Sequence, residues 1–291
     1  MLYQPRPPYQ RIPWGSHPGT ELTLRLAKVP YTSTLNGVSI NQHSQCRLCL
    51  READLCNSHV VPEFFFAQLY DETHRYYAVT NTKGEQIRLL QKGMREKLLC
   101  LNCENQFSGY EHHARSVLYG GTEVACEELG QGFRVHGIEY GLFKLFLMSL
   151  LWRLAITSLR FWRVLDLGEH HQERLRAMLL SGNPGEPWQY GCTVIGLLHE
   201  GKPFKDLISS PAWGKVQGHR VYALAVGGFL FSFFVSSHKP DFVEEAFLQK
   251  SGSLLVMRQE FTNIPFLVEM GTEVAIATRG RQFPGQKPDQ G

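Results

Sequence analysis

Four cysteines in two pairs of equal spacing, Cys46-Arg-Leu-Cys49 and Cys100-Leu-Asn-Cys103, carry the strongest chemical signal in this chain. A tight two-residue turn points both sulfurs of a pair at one metal, and two such turns fill a closed tetrahedral zinc site of four thiolates. A redox dithiol explains one pair but leaves the second without a purpose. Between the pairs lies Asn57-Ser58-His59-Val60-Val61-Pro62, a polar-to-apolar run with one histidine. An imidazole with an ordinary pKa near ~6.5 can accept a proton at neutral pH, and a polar strand residue bonded to the backbone is the plainer use of a lone histidine.

The elements that must position these residues follow from local pattern. His59-Val60-Val61 reads as a short strand ended or bent by Pro62. Residues 63–70 read as a helix with an apolar face, 76–80 and 86–90 as strands, and 81–84 as the turn between them. The second cysteine pair leads into a helix over 105–118, with Phe107, Tyr110, Ala114 and Val117 near helical spacing. From 46 to 118 the chain holds nine Lys/Arg and nine Asp/Glu, so this segment has no net basic field. Arg88, Lys92, Arg95 and Lys97 do cluster late, a pattern that fits either a solvated face or a set of phosphate contacts.

A first C-x-x-C, a histidine followed by two β-branched residues and a proline, and then Leu99-Cys100-x-x-Cys103 opening a helix resemble the HNH (ββα-metal) endonucleases. The resemblance runs from Cys46 to about Phe107 and covers nothing downstream. It implies a treble-clef fold with a structural Zn²⁺ and a separate catalytic Mg²⁺ or Mn²⁺. By position it makes His59 the base that activates water against a phosphodiester. Glu104 falls where the family places a metal-binding Asn or His, and Ser58 stands where it usually carries an Asp or His ligand. The family's middle Asn has no equivalent, because Arg95-Glu96-Lys97 occupies that stretch.

The whole chain has 291 residues, 43% hydrophobic and 20% charged, with a net charge of +3, so any nucleic-acid contact needs a local patch. The remaining cysteines, Cys56, Cys126 and Cys192, have no framework spacing, which suits a reducing cytoplasm. The N-terminus lacks the apolar core of a signal peptide, and the runs 142–159 and 221–235 are too interrupted or too short to span a bilayer. The expected organisation is α+β. An irregular basic arm over 1–45, with a short strand at 22–29, precedes the zinc-bound HNH-like domain at 46–118. A glycine-punctuated linker at 119–137 leads to a helix-plus-antiparallel-sheet domain at 138–278, and a disordered tail follows at 279–291. The last domain opens with a long apolar helix over 138–165, followed by a helix over 168–180, with His170-His171 and Glu173 on its polar face.

The leading expectation is a metal-dependent endonuclease acting on nucleic acid, DNA ahead of RNA, with a role in defence against foreign DNA. The C-terminal domain would then bind a protein partner or a second copy. The competing expectation is a non-catalytic zinc-stabilised module that binds protein or nucleic acid.

Overall fold

The computed structural model describes residues 24–25, 44–70, 74–79, 88–205 and 207–270, with backbone alone at 24, 25, 77, 79, 88 and 89. The elements begin with strands β1 (Leu24–Arg25) and β2 (Leu55–His59) and helix α1 (Glu63–Phe66). Strands β3 (Tyr76–Val79), β4 (Arg88–Leu90) and β5 (Arg95–Cys100) lead into helix α2 (Leu101–Tyr119). Strands β6 (Ala125–Glu128) and β7 (Gly132–His136) precede helices α3 (Tyr140–Ile156) and α4 (Gly168–Ser181). The C-terminal part contributes β8 (Cys192–His199), β9 (Lys202–Pro203), β10 (Ile208–Ser209) and β11 (Ala212–Val216). It ends with β12 (His219–Val226), β13 (Phe229–Val235) and β14 (Leu254–Glu260).

The class is α+β, as expected. Among the described residues, two strands stand apart, β2 antiparallel to β5, and the others join one sheet. Its main path is β4-β3-β10-β12-β13-β8-β14-β7-β6, with β11 and β1 continuing from β12 and β9 from β8. The sheet is mixed rather than antiparallel throughout, because β3–β10 and β8–β14 pair in parallel. Both joins bring together segments distant in sequence, where no hairpin dictates the antiparallel direction. The tight β12–β13 hairpin turns at Gly227 and Gly228, both at positive φ (57° and 93°), as a two-residue turn matching strand twist requires.

Residues 119–137, expected as a linker, instead carry β6 and β7, and β7 pairs with β14. The glycines that suggested a linker are turn residues, with positive φ at Gly120, Gly121, Gly130 and Gly137. The hydrophobic core is also continuous across this point, and Phe65 of α1 packs against Phe231 of β13 at 5.7 Å. The strand at 22–29 is found as the two residues of β1, while the rest of that arm up to residue 43 and the tail at 279–291 lie outside the described residues.

Helix α3 lies at the centre. Every residue from Phe143 to Leu154 is buried, the signature of a helix enclosed by other elements, and all but Lys144, Ser149 and Arg153 are apolar. The Glu139 carboxylate caps its N-terminus by accepting from the N–H groups of Gly141 and Leu142, at 3.3 and 2.6 Å. It ends at Ile156, well short of 165, and a 3₁₀ turn at 160–162 follows. The two cations that interrupt its apolar run are buried within it. Lys144 Nζ donates to the carbonyls of Pro187 (3.0 Å) and Tyr190 (3.2 Å), and burial brings its pKa down to about 7. Arg153 reaches the other way, toward β2 and α2. Among the described residues no helix is long and apolar enough to cross a membrane.

Candidate metal centre and the histidine beside it

Cys46 and Cys49 sit on the turn before β2, while Cys100 ends β5 and Cys103 lies in the first turn of α2. The pairing of Leu55 with Cys100 brings the two turns together. The four sulfurs lie within 4.8 Å of one another. Cys46 and Cys103 are buried, and Cys49 and Cys100 are partly so.

This donor set fits a metal ion on its own chemistry. Burial favours the neutral Cys46 thiol, yet backbone N–H groups of Cys100, Cys49 and Leu48 outweigh it and bring its pKa down to about 7. The Cys100 N–H lies 3.3 Å from Cys46 Sγ. Burial pushes the Cys49 and Cys103 thiols up, and the neighbouring sulfurs push Cys103 further. Four crowded thiols of this kind become four thiolates when a divalent ion neutralises them. The arrangement can therefore hold an ion such as zinc. Arg176 of α4 braces the first turn by donating to the Leu48 carbonyl at 2.6 Å.

Beyond the thiols, β2 alternates its side chains. Ser58 is fully buried on the α2 side, where its hydroxyl donates to Glu104 Oε2 at 2.8 Å. Burial raises the Glu104 carboxyl above its ordinary range, with the Ser58 hydroxyl and Arg153 pulling against that shift. His59 takes the opposite side of the strand, across from Arg95 of β5. Its Nε2 lies 2.5 Å from Glu63 Oε2, although the approach is outside hydrogen-bond geometry and neither atom has a hydrogen-bond partner among the described residues. Arg95 Nη2 stands 3.6 Å from the same carboxylate oxygen. Burial lowers the pKa of His59 and Arg95 lowers it further, against the upward pull of Glu63 and Glu111. The imidazole is therefore neutral at pH 7. Gly93 leaves the necessary space, because a Cβ there would lie 2.8 Å from Glu63 Oε2 and 3.1 Å from His59 Cδ2.

The structure thus brings the candidate residues together in pairs rather than as one cluster. Ser58 joins Glu104, and His59 joins Glu63, whose role the sequence did not indicate. Among the described residues, the four cysteines are the one group of three or more His, Cys, Asp or Glu ligands with donor atoms together. The expected basic face is dispersed. Lys97 donates to the Leu55 carbonyl at 2.7 Å, Arg95 is turned to Glu63, Lys92 is exposed, and the side chain of Arg88 lies outside the described residues. Glu96 serves neither metal nor base. Its carboxylate accepts from the hydroxyls of Thr157 and Ser158, both at 2.6 Å, and from the Ser158 N–H at 3.0 Å. His113 faces the interior, 6.5 Å from the Phe143 ring, and His112 faces solvent.

Arg153, ninety-four residues from His59, was invisible in the local pattern. Its Nη1 donates to the His59 carbonyl at 2.9 Å and pairs with Glu111 Oε1 at 2.7 Å. Glu111 is two helical turns beyond Glu104, on the same face of α2. A fixed guanidinium thus holds the end of β2 against α2. No protein-family model, no curated protein and no solved structure matches this chain.

Proposed function

We propose that the zinc-stapled hairpin and helix form a treble-clef, HNH-like unit that hydrolyses phosphodiester bonds in nucleic acid. The observation that carries this reading is the order and placement of its parts. The cysteine pairs clamp β2, β5 and α2 together, with His59 at the end of the strand and Glu104 in the first turn of the helix. His59 is the base in this reading: neutral at pH 7, with Glu63 beside Nε2 orienting the ring and Nδ1 left to take the proton of an attacking water. Base–carboxylate pairs of this kind are often loosely aligned before substrate binds.

Glu104 and the Ser58 hydroxyl are hard oxygen donors already 2.8 Å apart, which suits Mg²⁺ or Mn²⁺. Such an ion commonly keeps one or two protein ligands and fills its remaining positions with water and substrate phosphate. When bound, it supplies charge to stabilise the leaving oxyanion. DNA is the preferred substrate over RNA in this reading, and defence against foreign DNA is the role.

A second reading is a non-catalytic module in which zinc only stabilises the unit. It is favoured by the opposite facing of His59 and Ser58 on β2, which pairs them with different carboxylates, and by Arg153, which already supplies a positive charge to Glu111 and to the His59 carbonyl. The test compares plasmid, single-stranded DNA and RNA with Mg²⁺ or Mn²⁺, using wild type, His59→Ala and Glu104→Gln, with zinc content measured on each. Cleavage by wild type, lost in zinc-replete variants, is the expected result. No cleavage by zinc-replete wild type under any condition would leave the second reading standing.

A further inference from the structure

Away from the zinc unit, the start of α4 and the β11–β12 hairpin gather basic side chains on one face. His170, His171 and Arg174 lie within the first two turns of α4, the two imidazole rings 5.3 Å apart. On the hairpin, Trp213 stands opposite Tyr222 and Lys215 opposite Arg220, and strand alternation puts all four on the same side. The Tyr222 hydroxyl donates to the carbonyl of Asp166, just before α4, so this is the side on which α4 begins. Tyr190 fills the junction, with its hydroxyl 3.1 Å from His171 Nδ1 and its ring 6.0 Å from the Arg174 guanidinium. The Arg220 guanidinium lies 6.0 Å from the Trp213 ring.

These cations lack an internal counter-charge among the described residues. Lys215 and Arg220 are direct cross-strand neighbours, an unfavourable like-charge pair. Arg174, Lys215 and Arg220 form no ion pair with a described carboxylate. Nearby, Asp166 Oδ1 accepts from the Gly168 N–H, Glu173 is held by Arg176, and Glu169 is exposed. His171 is held below its ordinary pKa by burial first, then by His170, Arg174 and Arg220. Strand β1 pairs with β11, with Arg25 in register with Trp213, and residues 1–45 carry Arg6, Arg11, Arg25 and Lys28 against Glu21.

We infer that this face binds a single strand of nucleic acid, its phosphates on Arg174, Lys215 and Arg220 and a base on the partly exposed Trp213. A cationic track with an aromatic platform is the chemistry that single strands select. The surface stands apart from the catalytic reading, since binding here needs neither His59 nor a second metal ion.

The experiment is fluorescence anisotropy of a labelled oligothymidylate with the zinc-loaded full chain, at two salt concentrations and without added divalent cation. Lys215→Glu/Arg220→Glu changes two exposed side chains, and Lys202→Glu/Lys250→Glu makes the same charge change elsewhere. The expected result is binding weakened about tenfold or more by the first pair, with a shallower salt dependence, and about twofold or less by the second. Equal loss in both pairs, no binding by wild type, or binding to phosphatidylserine vesicles but not to the oligonucleotide would overturn the inference. His59→Ala is expected to bind as wild type does, which separates failure of this surface from failure of the proposed catalysis.

Discussion

Arg153 on α3 and Glu111 on α2 form a 2.7 Å ion pair, with the arginine side chain only 2% exposed. The same guanidinium nitrogen holds the His59 carbonyl, so one buried charge connects the central helix, the zinc-side helix and the candidate base. Removing one partner of such a pair strands the other. Arg153→Met is expected to cost about 3–5 kcal/mol in denaturant unfolding, whereas Arg153→Met with Glu111→Gln should cost clearly less. Additive losses in the two single variants and the double would show that the pair is not coupled.

The four thiols predict one zinc ion per chain by elemental analysis. Cys100→Ser should lower zinc content and loosen β2, β5 and α2 together, seen as faster amide exchange in all three. Loss of exchange protection confined to residues 46–49 would contradict this, since Cys100 belongs to both β5 and the entry to α2.

His59 should titrate below its ordinary value of 6.5 in a histidine-selective NMR experiment. Glu63 pulls its pKa upward, so Glu63→Gln is expected to move it further down. The folded chain resists protonation here more than the unfolded chain does. The resulting stability contribution is full above about 6.5 and is lost as pH falls toward the folded-state value. If cleavage depends on this base, its acid limb falls in the same window. A limb at or above 6.5 would remove His59 from that role.

Glu104 runs the other way. Its raised carboxyl pKa gives a contribution full below the ordinary 4.5 and lost as pH rises through the folded-state value. Glu104→Gln can keep an acceptor for Ser58 without the buried charge. It is expected to gain on the order of 0.5–2 kcal/mol at pH 7.5 while abolishing cleavage. A variant that is both destabilised and fully active would refute the assignment.

Glu96 secures the chain leaving α3 through three hydrogen bonds to Thr157 and Ser158. Glu96→Ala should lower stability by about 2 kcal/mol without changing zinc content, which would mark it as a structural residue rather than a metal ligand.

The legible parts of the sequence were those governed by local rules. Cysteine spacing located the four-thiol cluster, and the local pattern located the start of α3 and the span of α4. The unread parts depend on distant partners. Strand β5 opens with Arg95-Glu96-Lys97, three charged residues in a row that show no apolar alternation, so only its pairing with β2 identifies it. Strand β6 is exposed at all four residues, which gives no alternation to read. Glu63 reads as an ordinary helix-start residue until His59 is seen beside it. Arg153 reads as a break in an apolar helix until β2 and α2 close around it.

Between β2 and β5 the chain leaves to form β3 and β4 and returns through Gly93. Strand β3 pairs with β10, and the Tyr119 hydroxyl at the end of α2 donates to the Gly227 carbonyl at 2.7 Å. The metal unit is thus threaded into the large sheet at two points rather than appended to it. A cut near residue 119 would free an edge of β3 and orphan the turn at Gly227. The four-cysteine unit is not a transferable cassette, and thermal melting of the zinc-loaded chain should show a single transition in which metal loss and sheet disruption occur together.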